Sequence, residues 1–143
     1  MIEIVSPNTP EDFLRYYQVR WETLRAPWNK PPGSEKDDKE NEGIHLMAKE
    51  NNEVLGVCRL QFNSTEEAQV RFMGVTEQAR GKGVGKQLMQ QAEEIAKSKG
   101  AVRIVLQARE IAVPFYLSCG YEVKEKSFLM WDEIQHFLMA KSI

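Results

Sequence analysis

The sequence predicts an α/β fold built on a single mixed, mostly antiparallel central sheet flanked by helices, and three observations carry that expectation. Segments of period 2 and period 3.6 follow one another in the order strand, helix, three strands, helix, strand, helix, two strands. The three consecutive extended segments are separated only by "NN" and "NSTEE", turn chemistries that imply an antiparallel meander. A chain of 143 residues fits one domain, spanning 1–143, and buries roughly two-thirds of its unfolded surface in a single core.

"IEIV" (2–5) forms the first strand. In "SPNTPED" Thr9 is placed as N-cap, Pro10 as first helical residue and acids in the first turn. Phe13, Tyr17, Trp21 and Leu24 recur at spacings of three and four, which predicts a helix with that apolar face running to about Arg25, with Pro27 as its stop. From Pro27 to Glu42 the chain is rich in proline and charge without apolar period, and reads as a mobile loop or a short exposed helix. "IHLMAKE", "EVLGVCRLQFN" and "AQVRFMGV" are the meander strands. Val84, Leu88, Ala92, Ile95 and Ala96 then line one helical face that Gly100 closes. "VRIVLQA" is a buried strand, "EIAVPFYLSCG" a short helix ended by Gly120, and "YEVKEKSF" with "IQHFLMA" a closing pair of strands.

Composition excludes several function classes. A 42% apolar and 28% charged chain is ordinary globular protein, and a formal charge of -2 argues against bulk nucleic-acid binding. No apolar run approaches the ~20 residues that span a bilayer, so no membrane role is expected. The opening residues have no signal-peptide pattern, and a cytoplasmic location follows as the default. Cys58 and Cys119 are too few for a disulfide framework or a cysteine-rich zinc site; both read as reduced thiols, and no metal is expected.

The segment "TEQARGKGVGKQL" (76–88) is the strongest chemical signal. A loop that leaves a strand and opens a helix presents unpaired backbone N–H groups at the positive end of the helix dipole, an anion site by construction. Gly81, Gly83 and Gly85 permit unusual φ or close approach, while Arg80, Lys82 and Lys86 add positive charge. A pyrophosphate is the expected guest. The GxxxxGK[ST] spacing of a P-loop is absent, and no third glycine completes a dinucleotide fingerprint.

Arg80-Gly81-Lys82-Gly83-Val84-Gly85 resembles the R/Q-x-x-G-x-G/A motif of the GNAT superfamily of N-acetyltransferases, and it sits, as in that family, between a fourth strand and an amphipathic helix. "AREIAVPFYLSCGYEV" is similar to the family's second signature, with Ala112, Phe115, Tyr116, Gly120 and Tyr121 in the matching places. The resemblance covers nearly the whole chain in element order and implies a GNAT-like, acyl-CoA N-acyltransferase fold. It implies acetyl-CoA as co-substrate, its pyrophosphate held by backbone amides from Arg80 to Lys86, Val84 included, and its pantetheine arm beside Met73, Gly74 and Val75, where the family's fourth and fifth strands splay. It also implies direct acetyl transfer to a primary amine of a small molecule or peptide. Tyr116 would then serve the departing thiolate, since a phenol of pKa ~10 can hydrogen-bond or protonate it. A backbone N–H near Val75 would polarise the thioester carbonyl.

Where the family often has asparagine this chain has Arg109, which could contact coenzyme phosphate, contact a substrate carboxylate, or pair with a surface acid such as Glu110. By the same resemblance Arg20, Trp21, Arg25 and Trp28 border the acceptor site, with Trp21 read as core and Arg25 and Trp28 as substrate-binding. His45 and His136 are candidates for a general base, against the ordinary structural reading of a lone histidine. The acidic "EKDDKENE" reads as a solvated loop, with attraction of a cationic amine as its functional alternative. The rival function is a non-catalytic acyl-CoA binding module. The acceptor and the oligomeric state stay open, a homodimer included.

Overall fold

A computed structural model describes residues 1–143. The expected elements form in the expected order: β1 Glu3–Val5, α1 Pro10–Leu24, β2 Ile44–Glu50, β3 Glu53–Phe62, β4 Glu67–Val75, α2 Val84–Ser98, β5 Arg103–Arg109, α3 Val113–Ser118, β6 Glu122–Met130 and β7 Ile134–Ser142. The third helix is shorter than expected. Its first residues, Glu110–Ala112, form a 3-10 turn, and the α-helix proper starts at Val113 with Pro114 in its first turn.

All seven strands join one sheet in the order β1-β2-β3-β4-β5-β7-β6. Every pair is antiparallel except β4 with β5, which run parallel from Glu67↔Arg103 to Val70↔Leu106. α2 makes the crossover between those two strands, as a parallel connection requires. β7 slots between β5 and β6, so the last hairpin lies against the edge that β5 would otherwise expose.

The two long helices cover opposite faces of this sheet. Leu46 and Ala48 pack in the cluster that contains Val84, Leu88, Met89, Ala92 and Ala96 of α2. Met47, one residue out of phase, packs with Tyr16 and Val19 of α1, as side-chain alternation along a strand demands. α1 starts with the capping box anticipated at Thr9: the Asp12 amide donates to Thr9 Oγ1 at 3.1 Å and the Thr9 amide to Asp12 Oδ2 at 3.3 Å.

Of the apolar face expected for α1, Leu24 is buried and Phe13 and Tyr17 pack against the cluster of Tyr16 and Val19, but the most deeply buried positions lie to one side of it and Trp21 departs from the expectation. Tyr16, Val19, Arg20 and Leu24 are its buried residues, whereas Trp21 is half-buried, donates to the Lys30 carbonyl and belongs to neither core cluster. The reason is polar. Arg20 is 0% exposed, and its Nη1 meets Glu40 Oε2 at 2.8 Å while its Nη2 donates to the Tyr16 hydroxyl at 2.8 Å. Arg59 on β3, also 0% exposed, grips both Asp37 oxygens at 2.7 and 2.9 Å and Glu40 at 3.0 Å. His45 completes the network: its Nε2 donates to the Glu40 carbonyl at 2.7 Å, so Nδ1 of the neutral ring accepts from Tyr16 at 2.8 Å.

The segment read from the sequence as a solvated acidic loop is therefore clamped to the sheet by two of its carboxylates. It forms neither an α-helix nor a free loop, and Asp37 and Glu40 are committed to arginines of this chain rather than offered to a cationic ligand. His45 serves structure here.

Removing one partner of a buried ion pair costs about 3 kcal/mol or more because the remaining charge is left uncompensated. Glu40→Gln should lower Tm by about 10 °C in calorimetry, given the few degrees per kcal/mol expected at this chain length. The network also sets acid lability. Hydrogen bonds from Arg59 hold the Asp37 carboxyl far below the usual carboxylate range, and burial pushes the His45 imidazole below 6.5. Both groups bind protons more weakly folded than unfolded. Stability should fall as pH drops through ~6.5, where the unfolded histidine gains its proton, and again below ~4, where the unfolded aspartate does. Urea titrations between pH 7.5 and 3.5 check the sign; the His45→Asn variant should show a smaller upper step, the remainder belonging to His136, whose pKa burial also lowers.

Candidate active site

The sheet opens beside its one parallel pair. Val70 and Leu106 are the last partners on β4 and β5, and beyond them the strands carry no mutual pairing. β4 is turned there by a bulge: Arg71 pairs with Arg59 and Gly74 with Val57, so Phe72 and Met73 together oppose Cys58. Phe72 takes a φ of 57°, a positive value that a bulky residue rarely adopts.

A cavity of about 330 Å³ occupies the opening. β4 contributes Arg71, Phe72 and Met73 to its wall, β5 contributes Gln107 and Arg109, and the end of α1 with the following turn contributes Arg25 and Trp28. α3 contributes Tyr116, and the β6–β7 hairpin contributes Phe128, Trp131 and His136. Tyr116, Met73, Arg109, Arg25 and Trp28, proposed from sequence, thus converge on one space. Trp131 and Arg71 were not foreseen. Trp131 is in a tight turn, with φ of 54° at Trp131 and 55° at Asp132, closed by the Glu133 amide on the Met130 carbonyl at 3.0 Å.

Gly74 and Val75 are not on this wall. A Cβ at Gly74 would overlap Thr23 Oγ1, so the glycine lets α1 lie directly against β4; Val75 packs on the main core. Close approach by a helix, and not the bulge itself, explains the glycine.

Tyr116 is 7% exposed, and its hydroxyl makes no hydrogen bond within the protein although it is not sealed from the cavity. Burial pushes the phenol well above 10, with a counteracting pull from Arg109, so it stays protonated at neutral pH. His136 is held by two contacts. Its Nδ1 donates to the Ile134 carbonyl at 3.0 Å and its ring stacks on Phe128 at 4.3 Å, which leaves Nε2 as the ring's acceptor. Burial lowers its pKa below 6.5, and Arg109 and Arg25 lower it further. Cys58 is fully buried with its thiol pushed up to about 12, Cys119 is raised as well, and neither has a nucleophile's environment.

The glycine loop is a second, adjoining feature. The backbone amides of Gly81, Gly83, Val84, Gly85 and Lys86 donate to no acceptor in the protein, and Arg80, Lys82 and Lys86 are exposed and enter no ion pair. The glycines have separate causes. Gly81 and Gly83 take φ of 82° and 79° with open space around them, so conformation requires them there. At Gly85 a Cβ would stand 2.9 Å from Phe115 Cζ, so this glycine lets α3 seat its ring on the first turn of α2. Five free amides, three free cations and a helix start on one loop suit a phosphate group. Arg109 is not on this loop, and it forms no pair with Glu110.

Residues 13–121 match the acetyltransferase (GNAT) family. The chain belongs to that family. It is 33% identical over 140 residues to a Bacillus subtilis strain 168 protein named as an uncharacterized N-acetyltransferase, YjcF, covering 98% of this chain and 99% of that one. Among solved structures it is similar to an aminoglycoside 6'-N-acetyltransferase complexed with coenzyme A, with a TM-score of 0.81 and 17% identity over 99% of this chain and 96% of that one. It is similar also to the ribosomal-protein-S18-alanine N-acetyltransferase of Escherichia coli, with a TM-score of 0.77 and 16% identity over 100% and 94% of the two chains. At those identities the likeness is one of fold, and the GNAT fold expected from the two signatures is the fold observed.

Proposed function

We propose that this GNAT protein transfers an acetyl group from acetyl-CoA directly to a primary amine of a small molecule or peptide. The observation that carries the reading is Tyr116: a buried, protonated phenol without a protein partner, facing a cavity that adjoins a phosphate-type loop. When bound, acetyl-CoA supplies an activated acetyl thioester. The free amides from Gly81 to Lys86, with Arg80, Lys82 and Lys86, hold its phosphates, and Met73 flanks the arm where β4 leaves β5.

Transfer forms a bond from the acceptor nitrogen to the acetyl carbon and breaks the carbon–sulfur bond. The nitrogen loses a proton and the sulfur gains one. Tyr116 donates that proton to the sulfur and regains one from solvent, while His136 returns the amine's proton to solvent. No carboxylate lines the cavity, and its arginines hold their protons, so His136 is the lining residue able to accept the amine's proton near neutral pH. Its neutral Nε2 is that acceptor. The geometry contains no nucleophilic cysteine in the cavity wall, in keeping with direct transfer.

Three outcomes test this reading. Lys82→Glu combined with Lys86→Glu should raise the calorimetric Kd for acetyl-CoA by ~30-fold or more, since each removed charge-assisted contact is worth about 1.5 kcal/mol or more. Unchanged affinity would place the phosphates elsewhere. Tyr116→Phe keeps the ring and deletes the donor, so kcat should fall by ~10²-fold with coenzyme affinity nearly constant; turnover within about threefold of the parent, with chemistry rate-limiting, would remove the tyrosine from the mechanism. For His136, kcat/KM should decline on the acid side with an inflection below 6.5, and His136→Gln should lose that inflection together with ~10²-fold of rate at pH 7.5. Coenzyme binding without thiol release from any amine would instead support the non-catalytic binding module.

A further inference from the structure

The charges on the cavity wall are of one sign. Arg25, Arg71 and Arg109 line it and no aspartate or glutamate does. The acids of this region are on the other side of β4, where Asp37 and Glu40 are consumed by Arg20 and Arg59. Arg71, nearly half exposed, still faces Asp37 at 3.7 Å. Arg109 faces no carboxylate, and Arg25 forms no ion pair, its nearest acid being the buried Glu35, which accepts instead from the Gly33 amide.

These two arginines are also held in place. Arg25 donates from Nε to the Ser34 carbonyl and from Nη1 to the Leu24 carbonyl, both at 3.0 Å, which fixes the group and leaves Nη2 free. Its guanidinium stands 5.3 Å from the Trp131 ring centre, and that of Arg109 stands 5.5 Å from the Trp28 ring centre, with the two indoles 6.2 Å apart. Arg109 is half-buried and donates to no acceptor in the protein. A guanidinium withdrawn from water without a counter-charge is costly, and a tryptophan face offsets that cost only in part. An anionic ligand group supplies what is missing, through short charge-assisted bonds that a planar fork can make in pairs.

We infer that the acceptor is a small amine bearing a carboxylate or phosphate, bound through that group by Arg109 and Arg25 beside Trp28, and that polycationic amines are poor acceptors. The inference rests on the acetyl-transfer reading above and narrows its substrate class. The coenzyme's own phosphates have cations at Arg80, Lys82 and Lys86; Arg80 lies near enough to Arg109 to lower its pKa, so the coenzyme affinity of the Arg109 variants separates an acceptor anion from a coenzyme phosphate. The cavity's size also favours a small acceptor over a folded protein surface.

The test uses matched amines: amino acids against their amides, 2-aminoethyl phosphate against ethanolamine, and a polyamine as the cationic arm. Two readouts are taken on the same panel, thiol release from acetyl-CoA and saturable quenching of tryptophan fluorescence in protein saturated with desulfo-CoA. The anionic member of at least one pair should show kcat/KM ~30-fold or more above its neutral partner, mainly through KM, and the carboxylate and phosphate arms identify which anion is read. Arg109→Gln should collapse that ratio toward one, Arg109→Lys should restore part of it, and Arg25→Gln should lower it, with unchanged acetyl-CoA affinity reporting that each variant is folded and that its arginine holds no coenzyme phosphate. Saturable anion-dependent quenching without thiol release would uphold the anion site at Arg109 and Arg25 and overturn the transfer reading, and with it the ligand's role as acceptor. Efficient acetylation of neutral or cationic amines in preference to anionic ones, or a ratio indifferent to Arg109, would uphold transfer and overturn this inference; a panel that neither reacts nor quenches would overturn the inference and leave no support for transfer.

Discussion

The cavity depends on β4 changing register against β3 just where its pairing with β5 ends. β4 and β5 part after Val70 and Leu106, at the point where Phe72 adopts a positive φ and β4 gains a residue relative to β3. Holding a phenylalanine there costs about 1–3 kcal/mol, which the surroundings must supply. They do so electrostatically. The Phe72 ring lies 4.3 Å from the Arg20 guanidinium, 5.0 Å from Arg59 and 5.1 Å from Arg71, and such contacts gain strength when the cation is removed from water. The ring that makes the bulge is therefore the one around which the arginines of α1, β3 and β4 gather.

That gathering requires counter-charge, which explains an otherwise puzzling loop. Two guanidiniums at 0% exposure would be untenable without Asp37 and Glu40, so the 33–42 segment is drawn down onto the sheet, and with it Ser34, whose carbonyl fixes Arg25. The ion-pair network behind β4 thus orients a residue in front of it. Because the same acids are spent on the network, the cavity side keeps a surplus of positive charge. That surplus is the physical basis of the anion preference inferred for the acceptor.

Much of this was legible in the sequence, and the rest was hidden for identifiable reasons. The period of α2, the capping signals at Thr9 and Pro10, the short turns of the meander and the two signature segments report local constraints, so they specified the elements, the fold and the convergence of Tyr116, Arg109, Arg25 and Trp28. The apolar period of α1 found Phe13, Tyr17 and Leu24 but not the centre of the buried face, because Tyr16 and Arg20 point inward for hydrogen bonds and ion pairs, which apolar periodicity cannot register. The acidic segment was misjudged for the same reason, its partners lying about 20 residues away. Phe72 and Trp131 carry positive φ without the glycine or asparagine that announces it, and so the bulge and the hairpin tip left no signature.

Gly85 ties the two halves of the site together. Its missing side chain admits the Phe115 ring, and Phe115 precedes Tyr116 on a helix of only six residues, with the two rings 4.9 Å apart. The position of the phenol is accordingly set by the first turn of α2, the same turn whose amides are free to hold phosphate. A longer side chain at Gly85 would push α3 away and carry the tyrosine with it, even though residue 85 itself touches no reacting atom. A displacement of about 1 Å at a catalytic group is enough to cost orders of magnitude in rate. In the proposed reaction this glycine would thus serve the packing behind Tyr116 as well as the anion loop, and coenzyme binding and catalysis would be coupled through a single missing methyl group.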